Sequence, residues 1–243
     1  MPEIEFAYMT HPGWYRKKNE DNLVCGRSYL PLAHGGLEGP AAGDAAPAPP
    51  LFGVFDGMGG EARGEMASYL AAKTAAEWPR LSAGQLDPLC RRMNRAICGY
   101  AADEHLRSAG TTASLLLFDR RGAVCCHIGD SRICRYRDGA LEQLTKDDVL
   151  PACAGRKAPL LQCLGIPEEE MRIRPHIGRH SVRRGDTFLI CSDGLSGAVS
   201  PEEMARILAG PAGLKQKAAA LVGKALEDGR DNITVILARP CFT

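Results

Sequence analysis

Four aspartates in this 243-residue chain share one local context, a strand end followed by a small or turn-forming residue: Asp56-Gly57, Asp130-Ser131, Asp193-Gly194 and Asp231-Asn232. A carboxylate at the end of a strand is held by the sheet yet faces its rim. If several such ends meet at one rim, negative charge accumulates in a small volume. Like charges about 4 Å apart repel by several kcal/mol in a protein-like dielectric, so the cluster calls for cations. Donors that are all oxygen, without Cys or His pairing, select hard ions, Mg2+ or Mn2+, over zinc.

The elements that must position these residues follow from the pattern of apolar residues. Residues 51–60, LFGVFDGMGG, begin as a buried strand and end in a glycine-rich turn that leaves room for an ion or another backbone. A helix follows, with Met66, Leu70 and Ala71 on one face and its end at Pro79. A second runs from about 88 to 106 on a Leu89, Met93, Ile97, Tyr100 stripe. Strands are expected at 4–9 and 23–29, in the four runs from Gly110 to about 145, at 171–177 (MRIRPHI), at 187–193 and at 233–239. Two further helices cover about 201–209 and 213–228. Strands and helices are thus segregated along the chain and joined by tight hairpins. That order favours an α+β fold of antiparallel sheets covered by helices.

Residues 33–50, AHGGLEGPAAGDAAPAPP, read as a mobile hairpin loop joining two strands, and residues 146–170 as irregular. Net charge is +1, which excludes a nucleic-acid or membrane surface driven by charge. No apolar run reaches the roughly 20 residues of a membrane span, and the acidic N-terminus lacks the core of a secretion signal. A cytoplasmic location is expected. In that setting the ten cysteines read as reduced, with the adjacent Cys125 and Cys126 on opposite faces of one strand.

Six segments recur in a fixed order: GWYRKKNED (13–21), FDGMGG (55–60), AGTT (109–112), GDSR (129–132), SDGL (192–195) and DNIT (231–234). Together they resemble the successive motifs of the metal-dependent type 2C (PPM) protein serine/threonine phosphatases, particularly the compact bacterial members, across nearly the whole chain. The resemblance implies one domain over 1–243 and a four-layer α-β-β-α sandwich. It implies that Asp56 bridges two metals, that the Gly57 carbonyl binds one of them, and that Asp193 and Asp231 hold the other. Glu20 and Asp21 match acidic residues that bind metal directly or through water, and Asp130 with Asp193 matches a third, weaker site. Arg16 matches the arginine that grips the substrate phosphate. Thr111, Thr112 and Ser131 are expected to tie strands and metal ligands together.

The resemblance further implies Mn2+ or Mg2+ as cofactor and a metal-bridging water or hydroxide as the attacking group. Phosphorylated proteins, the products of a bacterial serine/threonine kinase, are the expected partners, and the chain is expected to be a monomer. A catalytically silent regulatory binding module on the same fold is the alternative. Another is a stress or sporulation phosphatase dedicated to one phosphorylated partner. The chain also departs from the pattern. Met58 stands where some relatives place a histidine, and a thioether cannot donate a proton. LTKDD (144–148) puts Asp148 in the place of the histidine of LTxDH, and the flap over about 146–170 is shortened. His127 reads as a strand residue.

Overall fold

The structure, a computed structural model, describes residues 3–45, 50–58, 63–79, 81–151 and 158–242. In chain order its elements begin with β1 (Glu3–His11), β2 (Asp21–Cys25), β3 (Ser28–Tyr29), β4 (Ala41–Ala45) and β5 (Leu51–Met58). Helices α1 (Gly64–Ala76) and α2 (Leu86–Asp103) come next. Then follow β6 (Gly110–Thr111), β7 (Ala113–Asp119), β8 (Gly122–Ile128), β9 (Arg132–Arg137), β10 (Ala140–Gln143), β11 (His176–His180) and β12 (Thr187–Cys191). The chain closes with α3 (Asp193–Ser196), α4 (Pro201–Ala209), α5 (Leu214–Ala225) and β13 (Ile233–Cys241). One sheet has the order β10-β9-β12-β13-β1-β4. The other has the order β11-β8-β7-β5-β2-β3, with β6 paired to the end of β5. All pairings are antiparallel, as expected from the segregated strands and helices.

Three buried clusters separate four layers. Phe52, Leu116, Phe118, Phe188, Ile190 and Ile236 fill the space between the sheets. The α1/α2 pair packs on one outer face around Leu89, Met93, Ile97 and Leu115. The α4/α5 pair covers the other around Leu208, Leu221, Val222 and Leu237. Strand alternation assigns each side chain to a layer: Cys126 faces the helices and Cys125 the space between the sheets. Phe188 is fully buried and meets Phe118 edge-on, with ring centroids 5.3 Å apart. Phe188→Ala should cost about 3–5 kcal/mol through lost burial and a residual cavity. Urea denaturation checks this, and a loss below about 1 kcal/mol would mean that the sheets close over the gap.

Four expectations change. The strand expected at 23–29 is two, β2 and β3, which turn back on each other at Gly26, φ +64°, so that Val24 faces Tyr29 and Cys25 faces Ser28. Part of the Ala/Gly/Pro segment is an edge strand: β4 pairs with β1 from Tyr8↔Ala41 to Ile4↔Ala45. Small residues suit this edge, because Gly43 lies against the Phe6 ring, where a Cβ would come within 2.9 Å of Phe6 Cζ. Residues 46–49 of that segment lie outside the described residues. Helix α1 buries Ala67, Ser68, Ala71, Ala72, Ala75 and Ala76, while Met66 and Leu70 are only half-buried. This small-residue face lets the helix come close to the sheet, and Gly64 sits directly on the backbone of Gly57 and Met58. The strand expected at 171–177 is instead β11, at 176–180. Pro175 lacks the amide a ladder needs, and Arg174 N–H is taken by Gln162 Oε1 at 3.0 Å.

Candidate metal centre

Asp56 stands two residues from the end of β5, and its backbone is pinned on both sides. Its N–H donates to Thr112 Oγ1 at 3.0 Å, and its carbonyl accepts from Thr112 N at 2.9 Å and Thr111 Oγ1 at 3.0 Å. Thr112 Oγ1 is joined in turn to Ser131 Oγ at 2.7 Å, one residue after Asp130. The threonines and the serine therefore tie the strand carrying Asp56 to the turn carrying Asp130. Gly57 N–H donates to Glu20 O at 3.1 Å. A Cβ at Gly57 would collide with the Glu20 and Gly64 carbonyls, so this backbone position admits only glycine.

Asp193 opens α3 directly after β12, and Asp231 lies just before β13, the neighbouring strand. Gly194 abuts the Asn232 carbonyl so closely that a side chain there has no room. Asn232 braces the segment before β2: Nδ2 donates to Pro12 O and Lys18 O, both at 2.9 Å, and Oδ1 accepts from Glu20 N at 2.8 Å. Trp14 fastens the same segment to the loop before Asp231 through Trp14 N to Gly229 O at 2.7 Å and Nε1 to Leu226 O at 2.8 Å. DNIT marked this region in the sequence, but nothing in the motif told which backbone groups Asn232 would reach.

Asp56, Asp130 and Asp193, from three strand ends more than 60 residues apart in sequence, each offer a carboxylate oxygen, and the three oxygens lie within 4.8 Å of one another. Asp231 opens on the same cleft together with Arg16, Asp56, Gly57, Met58, Thr112 and Asp130, while Ala158, Pro159 and Leu160 form a wall. Its Oδ2 accepts from Arg16 Nη2 at 2.9 Å, and Arg16 also feels the charges of Glu20 and Asp56. The glycines of the turn, Gly59 and Gly60, and flap residues 152–157 lie outside the described residues.

The acidic pair at the start of β2, the neighbour of β5, divides its tasks. Glu20 is half-buried; burial raises its pKa, as does the charge of Glu65, against the opposing charges of Arg16 and Lys18. Asp21 is 1 % exposed and sits beneath the rim. Its Oδ2 accepts from Ser192 Oγ at 2.8 Å and Thr234 Oγ1 at 2.6 Å. Burial pushes its carboxyl up to about 7; the two hydroxyls pull the other way, and the charges of Asp193 and Asp231 add to the rise. Asp21 thus joins β2 to β12 and β13 from below the carboxylate trio. His127 is a buried strand residue, with Nδ1 3.0 Å from Ser114 Oγ.

The donor set fits a hard divalent cation: three carboxylates from separate elements converge, and the cleft lining contains neither Cys nor His among the described residues. Residues 44–220 match the family profile described as protein phosphatase 2C. The chain belongs to the protein phosphatase 2C family.

The chain is 32 % identical to the serine/threonine protein phosphatase PstP of Mycobacterium tuberculosis, over 97 % of this chain and 45 % of that protein. It therefore spans about half the length of the mycobacterial relative. It is also 32 % identical to the serine/threonine phosphatase stp of Listeria monocytogenes, over 80 % of this chain and 86 % of the relative. The crystal structure of the catalytic domain of PstP in complex with two manganese ions superposes with a TM-score of 0.76 at 31 % identity, covering 99 % of this chain and all of that one. The two-sheet sandwich of this protein phosphatase 2C chain is the fold of those relatives.

Proposed function

We propose that this chain is a Mn2+- or Mg2+-dependent phosphoprotein phosphatase that hydrolyses phosphoserine and phosphothreonine. The observation that carries the reading is the convergence of the Asp56, Asp130 and Asp193 carboxylates, the first two of them lining one cleft with Arg16 and Asp231. In this reading Asp56, Asp193 and Asp231 hold the core cations together with the Gly57 carbonyl and, directly or through water, Glu20. Asp130 serves a weaker site, and Asp21 holds the floor. The bound cations supply charge neutralisation and Lewis-acid activation of water. Arg16 lies at the mouth, within reach of Asp231, and its planar fork suits two phosphoryl oxygens at once. Met58 lines the cleft but cannot deliver a proton, so the leaving alkoxide takes its proton from solvent. No helix among the described residues is long and apolar enough to cross a membrane. The reading extends to a cytoplasmic monomer acting on proteins phosphorylated by a serine/threonine kinase; the names of the relatives, serine/threonine phosphatases, support the substrate class.

The test is a panel of phosphoserine, phosphothreonine and phosphotyrosine peptides with saturating Mn2+. Hydrolysis of the first two, well above the third, is expected. On the same panel Arg16→Ala should raise KM about 10- to 100-fold with a smaller change in kcat, because a charge-assisted pair to the phosphoryl group forms already in the ground state. Failure to release phosphate from any peptide would overturn the reading.

A further inference from the structure

Asp148 is the residue that stands in place of the family's histidine, and it is buried at the junction of three segments. Its carboxylate accepts three hydrogen bonds: Oδ2 from Gly129 N at 3.1 Å and Gln162 Nε2 at 2.9 Å, and Oδ1 from His176 Nε2 at 2.7 Å. Its backbone repeats the pattern, with Asp148 N–H donating to Gly129 O and Asp148 O accepting from Leu161 N, both at 2.7 Å. Gly129 immediately precedes Asp130. It is held at φ +103°, with Thr112 so near that a Cβ would come within 2.6 Å of Thr112 Cγ2.

The other partners adjoin the stretch that carries the wall of the cleft, residues 158–160. Gln162 also binds both backbone groups of Arg174, donating to its carbonyl and accepting from its N–H, each at 3.0 Å. His176 begins β11 and pairs across to His127 on β8. Val149 bridges to Leu160 and Leu150 N–H donates to Pro159 O at 2.9 Å, so the wall residues 158–160 hang on the residues after Asp148. At its far end the wall is fixed by the Leu164–Thr111 bridge, and Thr111 Oγ1 binds the Asp56 carbonyl. One side chain thus touches the turn carrying a candidate metal ligand and, through Gln162, the stretch that continues from the lining residues 158–160.

We propose that Asp148, clasped between Gly129, Gln162 and His176, is a positioning residue that sets the Asp130 turn and the 158–164 wall of the cleft as one unit. The chemistry explains why an aspartate is needed here. A neutral imidazole offers one acceptor nitrogen, whereas a carboxylate offers about four acceptor sites and can serve three donors at once. Gln162 and His176 supply the donors that make the replacement work, and the bond from an ionised acceptor is the stronger kind. The kinetic part of this inference rests on the phosphatase reading; the structural part does not.

The experiment compares Asp148→Ala and Asp148→Asn with the unmodified chain by amide hydrogen exchange, calorimetric Mn2+ titration and kinetics on p-nitrophenyl phosphate and a phosphothreonine peptide. In Asp148→Ala, exchange over 127–131 and 158–164 should quicken at least tenfold while β1 and β13 keep their protection. The weakest Mn2+ Kd should rise about tenfold. KM should rise several-fold more for the peptide, which reaches the wall, than for the small aryl phosphate. Asp148→Asn keeps an acceptor for Gly129 or Gln162 and should recover most of each effect. Unchanged Mn2+ binding and an unchanged ratio of the two KM values in Asp148→Ala would overturn the proposal, as would an Asn variant no better than Ala. Should Asp148→Ala fail to fold, Gln162→Ala and His176→Ala decide: a shift in the same direction supports the clasp, and none in either refutes it. If the unmodified chain hydrolyses neither substrate while the exchange and Mn2+ results hold, the phosphatase reading falls and the clasp stands.

Discussion

Asp56→Asn should lower kcat about a thousandfold without lowering the urea midpoint. The bonds that hold this position come from backbone atoms, Asp56 N–H to Thr112 and Asp56 O from Thr111 and Thr112, and an asparagine leaves them in place. The substitution keeps shape and removes one unit of charge from a group whose members lie within 4.8 Å. At an effective dielectric of about 20, each such pair repels by roughly 3–4 kcal/mol, so removing one member relieves the folded chain instead of weakening it. The amide, however, brings neither the charge nor the second acceptor oxygen that a shared cation requires. Removing one electrostatic group of this kind costs about 100- to 1,000-fold, and if Asp56 holds cations as proposed the loss belongs at the upper end, about 4 kcal/mol in the barrier. Steady-state hydrolysis of p-nitrophenyl phosphate at saturating Mn2+ measures it. An Asn variant that keeps more than a tenth of the rate would remove Asp56 from the chemistry.

The part of this site legible in the sequence is the part set by local rules. A strand end marked by Asp-Gly or Asp-Ser presents its carboxylate at a rim, and Asp56, Asp130 and Asp193 meet there, with Asp231, just before the start of β13, opening on the same cleft. The layer assignment of Cys125 and Cys126 followed from a period of two. What needed the fold was any choice made by a distant neighbour. The motif pairs Glu20 with Asp21, but the burial of Asp21 is decided by Ser192 and Thr234, 171 and 213 residues away. β4 exists because β1 offers an open edge, and its own Ala/Gly run carries no strand signal. The inner face of α1 is only partly legible, through Ala71 and the half-buried Leu70, for a related reason: bulk marks the inner face only where space allows it, and the sheet leaves room for alanine.

Asn232 and Asp148 show the same limit from the functional side. Each is a small polar residue in a recognisable motif, yet its work is to bind backbone groups in segments remote in sequence: Pro12, Lys18 and Glu20 in one case, Gly129 in the other. A motif reports that a polar side chain is present. Only the folded chain reports which orphan amides and carbonyls it satisfies, and hence which loops move together.

Chelation should abolish activity, and Mn2+ should restore it. Asp56, Asp130 and Asp193 come from strand ends that the two sheets bring to one rim, with the charges of Asp231 and Glu20 close by. Arg16 is the cation that lines this cleft among the described residues, and one guanidinium balances one carboxylate, Asp231, at 2.9 Å. A phosphate monoester adds about two further negative charges to such a cleft, so its approach without divalent cations is repulsive from the start. Metal removal should therefore cost more than any single substitution, at least a thousandfold in kcat/KM, and Mn2+ should recover it without refolding. A second readout needs no substrate. A ligand that binds only the folded state stabilises it by about 2.7 kcal/mol at one hundred times its Kd, so Mn2+ at that level should raise the thermal midpoint by several degrees. The rise should shrink in Asp56→Asn, because the donor set is then incomplete. Equal hydrolysis with and without chelator, or a midpoint indifferent to Mn2+, would show that this rim does not bind the cations on which the reaction depends.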